Sequence, residues 1–191
     1  MDFLSAHNCV IYSPLSQNDT SDWINGNEIE TYASNSMVWD SANGIWKFQH
    51  VSGQPYDNNH YAARWECNFP AQQAVFTGIA EFYAYNVSDT NLCYDFFPTR
   101  SGLSLYGTLN ALTQSAQVFD RTLQYQYRNG SVVFTYYYPN GVTIPVTTHI
   151  RIGVFHNDYQ APVQGPYGLR NFAFFLKALT QQEINEYFNL I

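Results

Sequence analysis

The last 18 residues, FFLKALTQQEINEYFNLI (174–191), decide the fold, because they join a strand-like run to a short helix. Thr180 and Glu183 have the spacing of a capping box, in which each side chain accepts a hydrogen bond from the main-chain N–H of the other residue. Leu179 precedes the cap and is positioned to act as a hydrophobic staple. Apolar residues then recur on one predicted helix face. They are Ile184, Tyr187, Phe188 and Ile191. We therefore expect this helix to pack on a sheet and to close a β-rich domain.

Upstream of this segment, the chain has the pattern of short strands separated by turns. The clearest example is TLQYQYRNGSVVFTYYYPNGV (122–142), in which Asn129-Gly130 separates two strand-like runs. Further strands are predicted at residues 9–12, 36–38, 45–49, 61–67, 75–86, 92–97, 103–109, 149–155 and 171–176. Roughly ten short strands with little helix predict an all-β fold, a jelly-roll sandwich of two antiparallel sheets with a short C-terminal helix.

The composition favours one domain, residues 1–191, with a neutral polar surface. The net charge is −7 and only 12% of residues are charged, which argues against nucleic-acid binding. No stretch approaches the ~20 apolar residues of a membrane span, and the N-terminus lacks the pattern of a secretory signal. Three cysteines without CxxC spacing are expected to be buried and reduced. Aromatic residues reach 18%, which suits stacking with neutral partners or packing in an assembly.

Three segments, taken in order, resemble laminin-G-like domains, which have the concanavalin A-like jelly roll of lectins and glucanases. GLRNFAFFLKALTQQEINEYF (168–188) is similar to the last strand and closing helix of that family. CVIYSPLSQNDTSDWINGNEIE (9–30) resembles its opening, and HIRIGVFHND (149–158) resembles its penultimate strand. The middle strand departs from the family, because GIAEFYAYNV (78–87) lacks the usual tryptophan. The resemblance implies a jelly roll that recognises glycans or proteins.

The carboxylate pattern of glucanases with this fold is missing from the sequence. Those enzymes resemble one another in an E-x-D-x-x-E strand, which presents a catalytic acid and a nucleophile on one face of the sheet. Here Glu66 and Glu81 stand alone in predicted strands, and the five histidines have no partner at a metal-ligand spacing. We therefore predict that the protein is not an enzyme.

Two loops and one tryptophan are the candidate ligand-binding features. Trp23 lies in a polar turn and is expected to stack on a ligand, whereas Trp46 and Trp65 are expected in the core. The loops GQPYDNNHY (53–61) and FHNDYQ (155–160) supply Asp57, Asn59, His60, His156, Asn157, Asp158 and Tyr159. These side chains could hydrogen-bond a sugar, or they could simply form turns. No cofactor is expected, except that Ca²⁺, which takes about six to eight oxygens, could bind if the two loops converge.

These patterns predict a recognition or assembly module that binds a glycan or a neighbouring protein. The chain has only two lysines and many Tyr, Asn and Gln residues. This composition suggests a virion structural component, such as a spike, fibre or capsid-associated protein, found in a virion or in the host cytoplasm. We expect a homo-oligomer or a place in a larger assembly. The alternatives are a glycan-cleaving enzyme of the same fold and a purely architectural protein without a ligand.

Overall fold

The structure is a computed structural model that describes residues 2–49, 61–69, 74–85, 91–97, 101–143, 146–152 and 166–191. The helices in these ranges are α1 (Asp2–Ala6) and α2 (Gln181–Leu190). The strands are β1 (Cys9–Ser13), β2 (Glu30–Thr31), β3 (Met37–Asp40), β4 (Ile45–Phe48), β5 (Ala63–Phe69), β6 (Val75–Ala84), β7 (Asn91–Phe97), β8 (Ser101–Tyr106), β9 (Leu112–Asp120), β10 (Leu123–Arg128), β11 (Ser131–Tyr137), β12 (Thr147–Ile152) and β13 (Tyr167–Phe175).

These strands form two antiparallel sheets. The larger sheet has eight strands in the order β11-β10-β9-β6-β13-β4-β3, and β1 also pairs with β13. The smaller sheet has five strands in the order β2-β5-β12-β7-β8. The predicted antiparallel sandwich with a short C-terminal helix is therefore confirmed.

Aromatic side chains fill the space between the two sheets. Trp65 of β5 is fully buried and stacks on Phe172 of β13, with ring centroids 5.5 Å apart and an interplanar angle of 5°. Since each aromatic side chain buries roughly 150–250 Å², such contacts supply a large part of the hydrophobic stabilisation. The predicted core position of Trp65 is confirmed. Trp46 lies at the edge of the core, partly buried, and its Nε1 donates to the Ser16 carbonyl at 2.7 Å.

A second apolar cluster covers the opposite face of the eight-stranded sheet. Successive side chains of a strand point to opposite faces. Phe172 and Phe174 of β13 therefore lie in the core between the sheets, and Ala173 and Phe175 lie in the second cluster. Both helices pack on this outer face. Their buried contributions to the second cluster are Phe3, Leu4, Ile184, Tyr187 and Phe188. The domain therefore has three layers, with the helices outside the larger sheet.

The predicted capping box of α2 is present. The Glu183 N–H donates to Thr180 Oγ1 at 3.2 Å, and the Thr180 N–H donates to Glu183 Oε2 at 2.8 Å. Leu179 is buried in the same cluster as Ile184, as a hydrophobic staple requires. The expectation for Ile191 was wrong: α2 ends at Leu190, so Ile191 follows as the C-cap and is 43% exposed.

Three elements were not predicted from the sequence: α1, the two-residue strand β2 and β9. Helix α1 has five residues, too few to produce a periodic apolar pattern. Strand β9 lies inside the larger sheet between β6 and β10, yet it carries buried polar residues. One of them, Ser115, accepts a hydrogen bond from Gln126 Nε2 at 3.2 Å. Such residues interrupt the alternation of apolar and polar positions by which a strand is recognised in a sequence. Strand β9 is therefore evident from its pairing with β6 and β10, but not from its own residue pattern.

Two of the three cysteines lie among the residues whose side chains are described. Cys9 and Cys67 are buried, free thiols. Burial raises the pKa of each to about 12, which keeps the thiols protonated and unreactive at neutral pH. The prediction of buried, reduced cysteines is confirmed for these two.

Candidate functional site

A buried carboxylate folds the segment that carries Trp23 back onto β1. Asp22 is fully buried, and its Oδ1 accepts hydrogen bonds from the main-chain N–H groups of Tyr12 and Ile24, both at 3.0 Å. The Trp23 N–H donates to the Tyr12 carbonyl at 2.8 Å. Because buried polar groups are stable when they are hydrogen-bonded, these contacts tie the turn to β1 through Asp22.

The indole of Trp23 is held at one edge but stays 50% exposed. Its Nε1 donates to Asp19 Oδ2 at 2.7 Å, and the other oxygen of Asp19 accepts from the Ser21 hydroxyl at 2.6 Å. The hydrogen bonds from Ser21 and Trp23 lower the pKa of Asp19, so it is ionised at neutral pH. The indole also packs edge-on against Tyr12, with centroids 5.3 Å apart. Trp23 is therefore available for a contact, and its role in ligand binding stays a prediction.

Trp23 lines a cleft of about 380 Å³ between β1 and the two helices. The described residues that line it are Asp2, Phe3, Leu4, Tyr12, Trp23, Tyr187, Leu190 and Ile191. Asp2 is the one charged residue in this group. At the base of the cleft, the Tyr187 hydroxyl donates to the Asn171 carbonyl at 2.7 Å, and burial raises the pKa of Tyr187 well above its usual value. The cleft therefore has aromatic and apolar walls with one carboxylate.

A second cleft of about 350 Å³ shares Ile191 with the first and contains an ion pair. Arg170 Nε and Nη2 donate to the two oxygens of Glu81 at 2.6 and 3.1 Å. Asn171 Nδ2 donates to Glu81 Oε2 at 2.7 Å. Because three donors already engage this carboxylate, Glu81 is better suited to hold β6 against β13 than to transfer protons.

The other predicted site residues lie outside the described residues. They are Asp57, Asn59, His60, His156, Asn157, Asp158 and Tyr159. The strands next to them are described: β12 ends at Ile152, β5 begins at Ala63, and these two residues pair across the sheet. The Ala62 N–H also donates to the Ile152 carbonyl, at 2.9 Å. In the sequence, residues 53–60 precede β5 and residues 153–159 follow β12.

Sequence reasoning did not identify Tyr12 and Tyr187 as cleft residues. They lie 175 positions apart in the sequence, on β1 and α2, and only the packing of α2 on the larger sheet brings them to one cleft. The exposed Trp23 is the single signal that pointed to this region. Within the described ranges, no group of three or more His, Cys, Asp or Glu residues could hold a metal ion, and no helix is long and apolar enough to cross a membrane.

No protein-family model matches the chain, and no curated protein matches it. Solved structures match its fold. The binding domain of botulinum neurotoxin serotype D has a TM-score of 0.66 and 11% identity over 98% of this chain and 53% of that one. The binding domain of botulinum neurotoxin DC in complex with SialylT has a TM-score of 0.67 and 12% identity over 96% and 51%. The binding domain of Paraclostridial Mosquitocidal Protein 1 has a TM-score of 0.60 and 13% identity over 96% and 52%.

At these identities, the likeness shows an all-β fold and nothing finer. The present chain spans about half the length of the three binding domains. The laminin-G-like family suggested by the sequence motifs therefore stays a resemblance.

Proposed function

We propose that this chain is a non-catalytic recognition module that binds a glycan in the cleft around Trp23. The observation that carries the proposal is the half-exposed indole, held by Asp19 and packed against Tyr12. A ring held in this way offers a rigid face to the CH groups of a sugar, and little conformational entropy is lost on binding. The fold supports the proposal, because the similar structures are named as binding domains and one was solved with SialylT.

The charges near the cleft favour a neutral glycan. Asp2 lines the cleft, the ionised Asp19 lies at the indole edge, and the chain carries a net charge of −7. None of the described lining residues is a cation. A carboxylate on the ligand would meet repulsion without a compensating ion pair. We therefore expect neutral hexoses to bind better than sialylated glycans.

A protein partner is the second candidate ligand. Leu190 is 63% exposed at the rim of the cleft, next to the exposed Ile191. Exposed aliphatic side chains beside a concave aromatic surface could hold an apolar anchor residue of another protein. The virion role, the place in a larger assembly and the host location remain predictions from composition. If the chain is a virion component, the cleft around Trp23 would lie on the surface of a particle.

Binding to an array of neutral and sialylated glycans tests the proposal. For any glycan bound, we expect Trp23→Ala to weaken the affinity at least about tenfold, as expected for removal of a central aromatic anchor. Trp39→Ala is the matched control, because Trp39 lines the second cleft. Its affinity should equal that of the wild type. Urea unfolding of both variants would establish that each is folded.

Other outcomes would contradict this assignment. Binding lost in Trp39→Ala and kept in Trp23→Ala would move the site to the second cleft. Binding lost only in Asp158→Ala would move it to the two predicted loops. Release of reducing ends from a bound glycan would identify a glycan-cleaving enzyme. A chain that binds no glycan would favour the protein partner or the architectural alternative.

A further inference from the structure

Strand β11 is an exposed edge with large apolar side chains. It lies at one end of the eight-stranded sheet, and β10 is its one partner among the described strands. All seven of its residues are exposed. The large apolar ones are between 44% and 61% exposed, and they are Val132, Val133, Phe134, Tyr136 and Tyr137.

The two edges of this sheet differ in how they limit pairing with other chains. Strand β3 has four residues and ends at Asp40, which accepts a hydrogen bond from Asn43. Short length, charge, proline and β-bulges are devices by which proteins prevent edge strands from pairing with other chains, and β11 has only a bulge at Val133, next to its turn. Strand β11 has seven residues and contains neither a charged residue nor a proline. Such an edge is a template for pairing unless a specific partner covers it.

The register of the β10–β11 hairpin shows which main-chain groups of β11 are unpaired within this sheet. Gln124 pairs with Tyr136 and Gln126 with Phe134, and the Tyr138 N–H donates to the Thr122 carbonyl at 2.7 Å. Because hydrogen-bonding groups alternate along an antiparallel strand, those of Thr135 and Tyr137 point away from β10. Val133 is the extra residue of a β-bulge, since Gln126 pairs with Phe134 and Tyr127 with Val132.

We propose that β11 pairs with β11 of a second copy of this chain, antiparallel and with Thr135 on the two-fold axis. In that register, the outward groups of Thr135 meet those of the second Thr135, and Val133, at the bulge, lies opposite Tyr137. Phe134 then lies opposite Tyr136 on the other face. This register contains three kinds of favourable cross-strand pair. They are an aromatic with a β-branched residue, two aromatics, and two threonines. The strand is therefore complementary to itself, as a two-fold interface requires.

The size of this surface predicts a weak dimer. With each aromatic side chain worth roughly 150–250 Å² and about half exposed, two β11 strands together expose on the order of 900 Å² of apolar surface. Pairing at the edge leaves both faces of the sheet in solvent, so the dimer would bury less than this area, which is the range of weak, transient interfaces. A dimer would carry two Trp23 clefts and could raise the avidity for a multivalent glycan. The dimer itself does not depend on the proposed function.

Sedimentation velocity from about 1 to 500 µM, with a reductant present, tests the proposal. We expect a concentration-dependent monomer–dimer equilibrium for the wild type. Val133→Lys should raise the dissociation constant at least about tenfold, because a charged side chain on an edge strand opposes pairing with another chain. Val38→Lys is the matched control, since Val38 is 40% exposed on the opposite edge strand β3. It should dimerise as the wild type does.

A charge-swap pair tests the register directly. Thr135→Lys and Thr135→Glu should each be monomeric alone, because like charges then face each other on the axis. A mixture of the two should form a heterodimer. A wild type that stays monomeric at 500 µM, open-ended oligomers, or dimerisation unaffected by the substitutions at Thr135 would overturn the proposal. Capture of a different macromolecule on β11 by a chain that does not self-associate would also overturn it.

Discussion

Helix α2 and strand β11 are both encoded by short-range sequence signals, but their apolar residues end in different environments. Helix α2 buries Ile184, Tyr187 and Phe188 against the larger sheet, whereas every residue of β11 is exposed. The helix is apolar on one face, and the chain supplies a surface for that face. The strand is apolar on both faces and lies at the edge of the sheet. Local pattern therefore determines the element, and position in the sheet determines whether apolar surface stabilises the fold or is available for association.

The largest expected effect comes from emptying the buried face of α2. Ile184→Ala should lower the free energy of unfolding by about 2–5 kcal/mol, because it leaves a cavity beneath the helix. Urea unfolding followed by circular dichroism would measure the change. A loss below about 1 kcal/mol would mean that α2 contributes little to the stability of the sandwich.

A smaller effect concerns the charge at the start of α2. Burial raises the pKa of Glu183, but hydrogen bonds from Lys177 and Thr180 outweigh it and lower that pKa to about 2 from the usual 4.5. The carboxyl therefore binds its proton more weakly in the folded chain than in the unfolded chain. The resulting stabilisation is complete above about pH 4.5 and is lost as the pH falls towards 2.

The variant Glu183→Gln keeps the capping-box spacing without the charge and serves as the comparison. At pH 7, we expect the wild type to be more stable by on the order of 1–2 kcal/mol, a value reduced for the partial exposure of the side chain. The difference should shrink between pH 4.5 and pH 3 in urea unfolding at each pH. Two parallel stability curves would show that the carboxylate charge contributes nothing.

The smallest expected effect is on β11. Val133→Ala should change the free energy of unfolding by less than about 0.5 kcal/mol at low micromolar concentration, because the side chain is exposed in the monomer. The measurement is the same urea titration used for Ile184→Ala. A loss near that of Ile184→Ala would mean that β11 is covered within the chain, and the contrast with α2 would fail.

The hairpin and the closing helix could be predicted because their signals are local. Asn129 and Gly130 adopt the positive φ angles, 48° and 76°, that a two-residue hairpin turn requires. Thr180 and Glu183 are three residues apart, and each accepts a hydrogen bond from the main-chain N–H of the other. In contrast, β9 is stabilised by its neighbours on both sides, so its own residues carried too weak a signal.

The cleft around Trp23 was predictable only in part. An exposed tryptophan in a polar turn pointed to Trp23, because a large aromatic side chain without an apolar surround usually serves a contact. Asp19 in the same turn accepts the hydrogen bond from the indole, and Asp22 ties the turn to β1 by accepting from the Tyr12 N–H. The opposite wall comes from α1 and α2, and no spacing in the sequence relates those helices to Trp23.

By itself, the sequence determined the fold class, the turns, the cap of α2 and the negative, lysine-poor surface, since these depend on residue type and on neighbours a few positions away. The tertiary structure decided which apolar residues are buried, which aromatic residues meet in the cleft, and which strand is left at the edge. Those outcomes depend on contacts between residues distant in the sequence. Such contacts form only when the sheets and helices pack, because burial is a property of the packed layers rather than of any one segment.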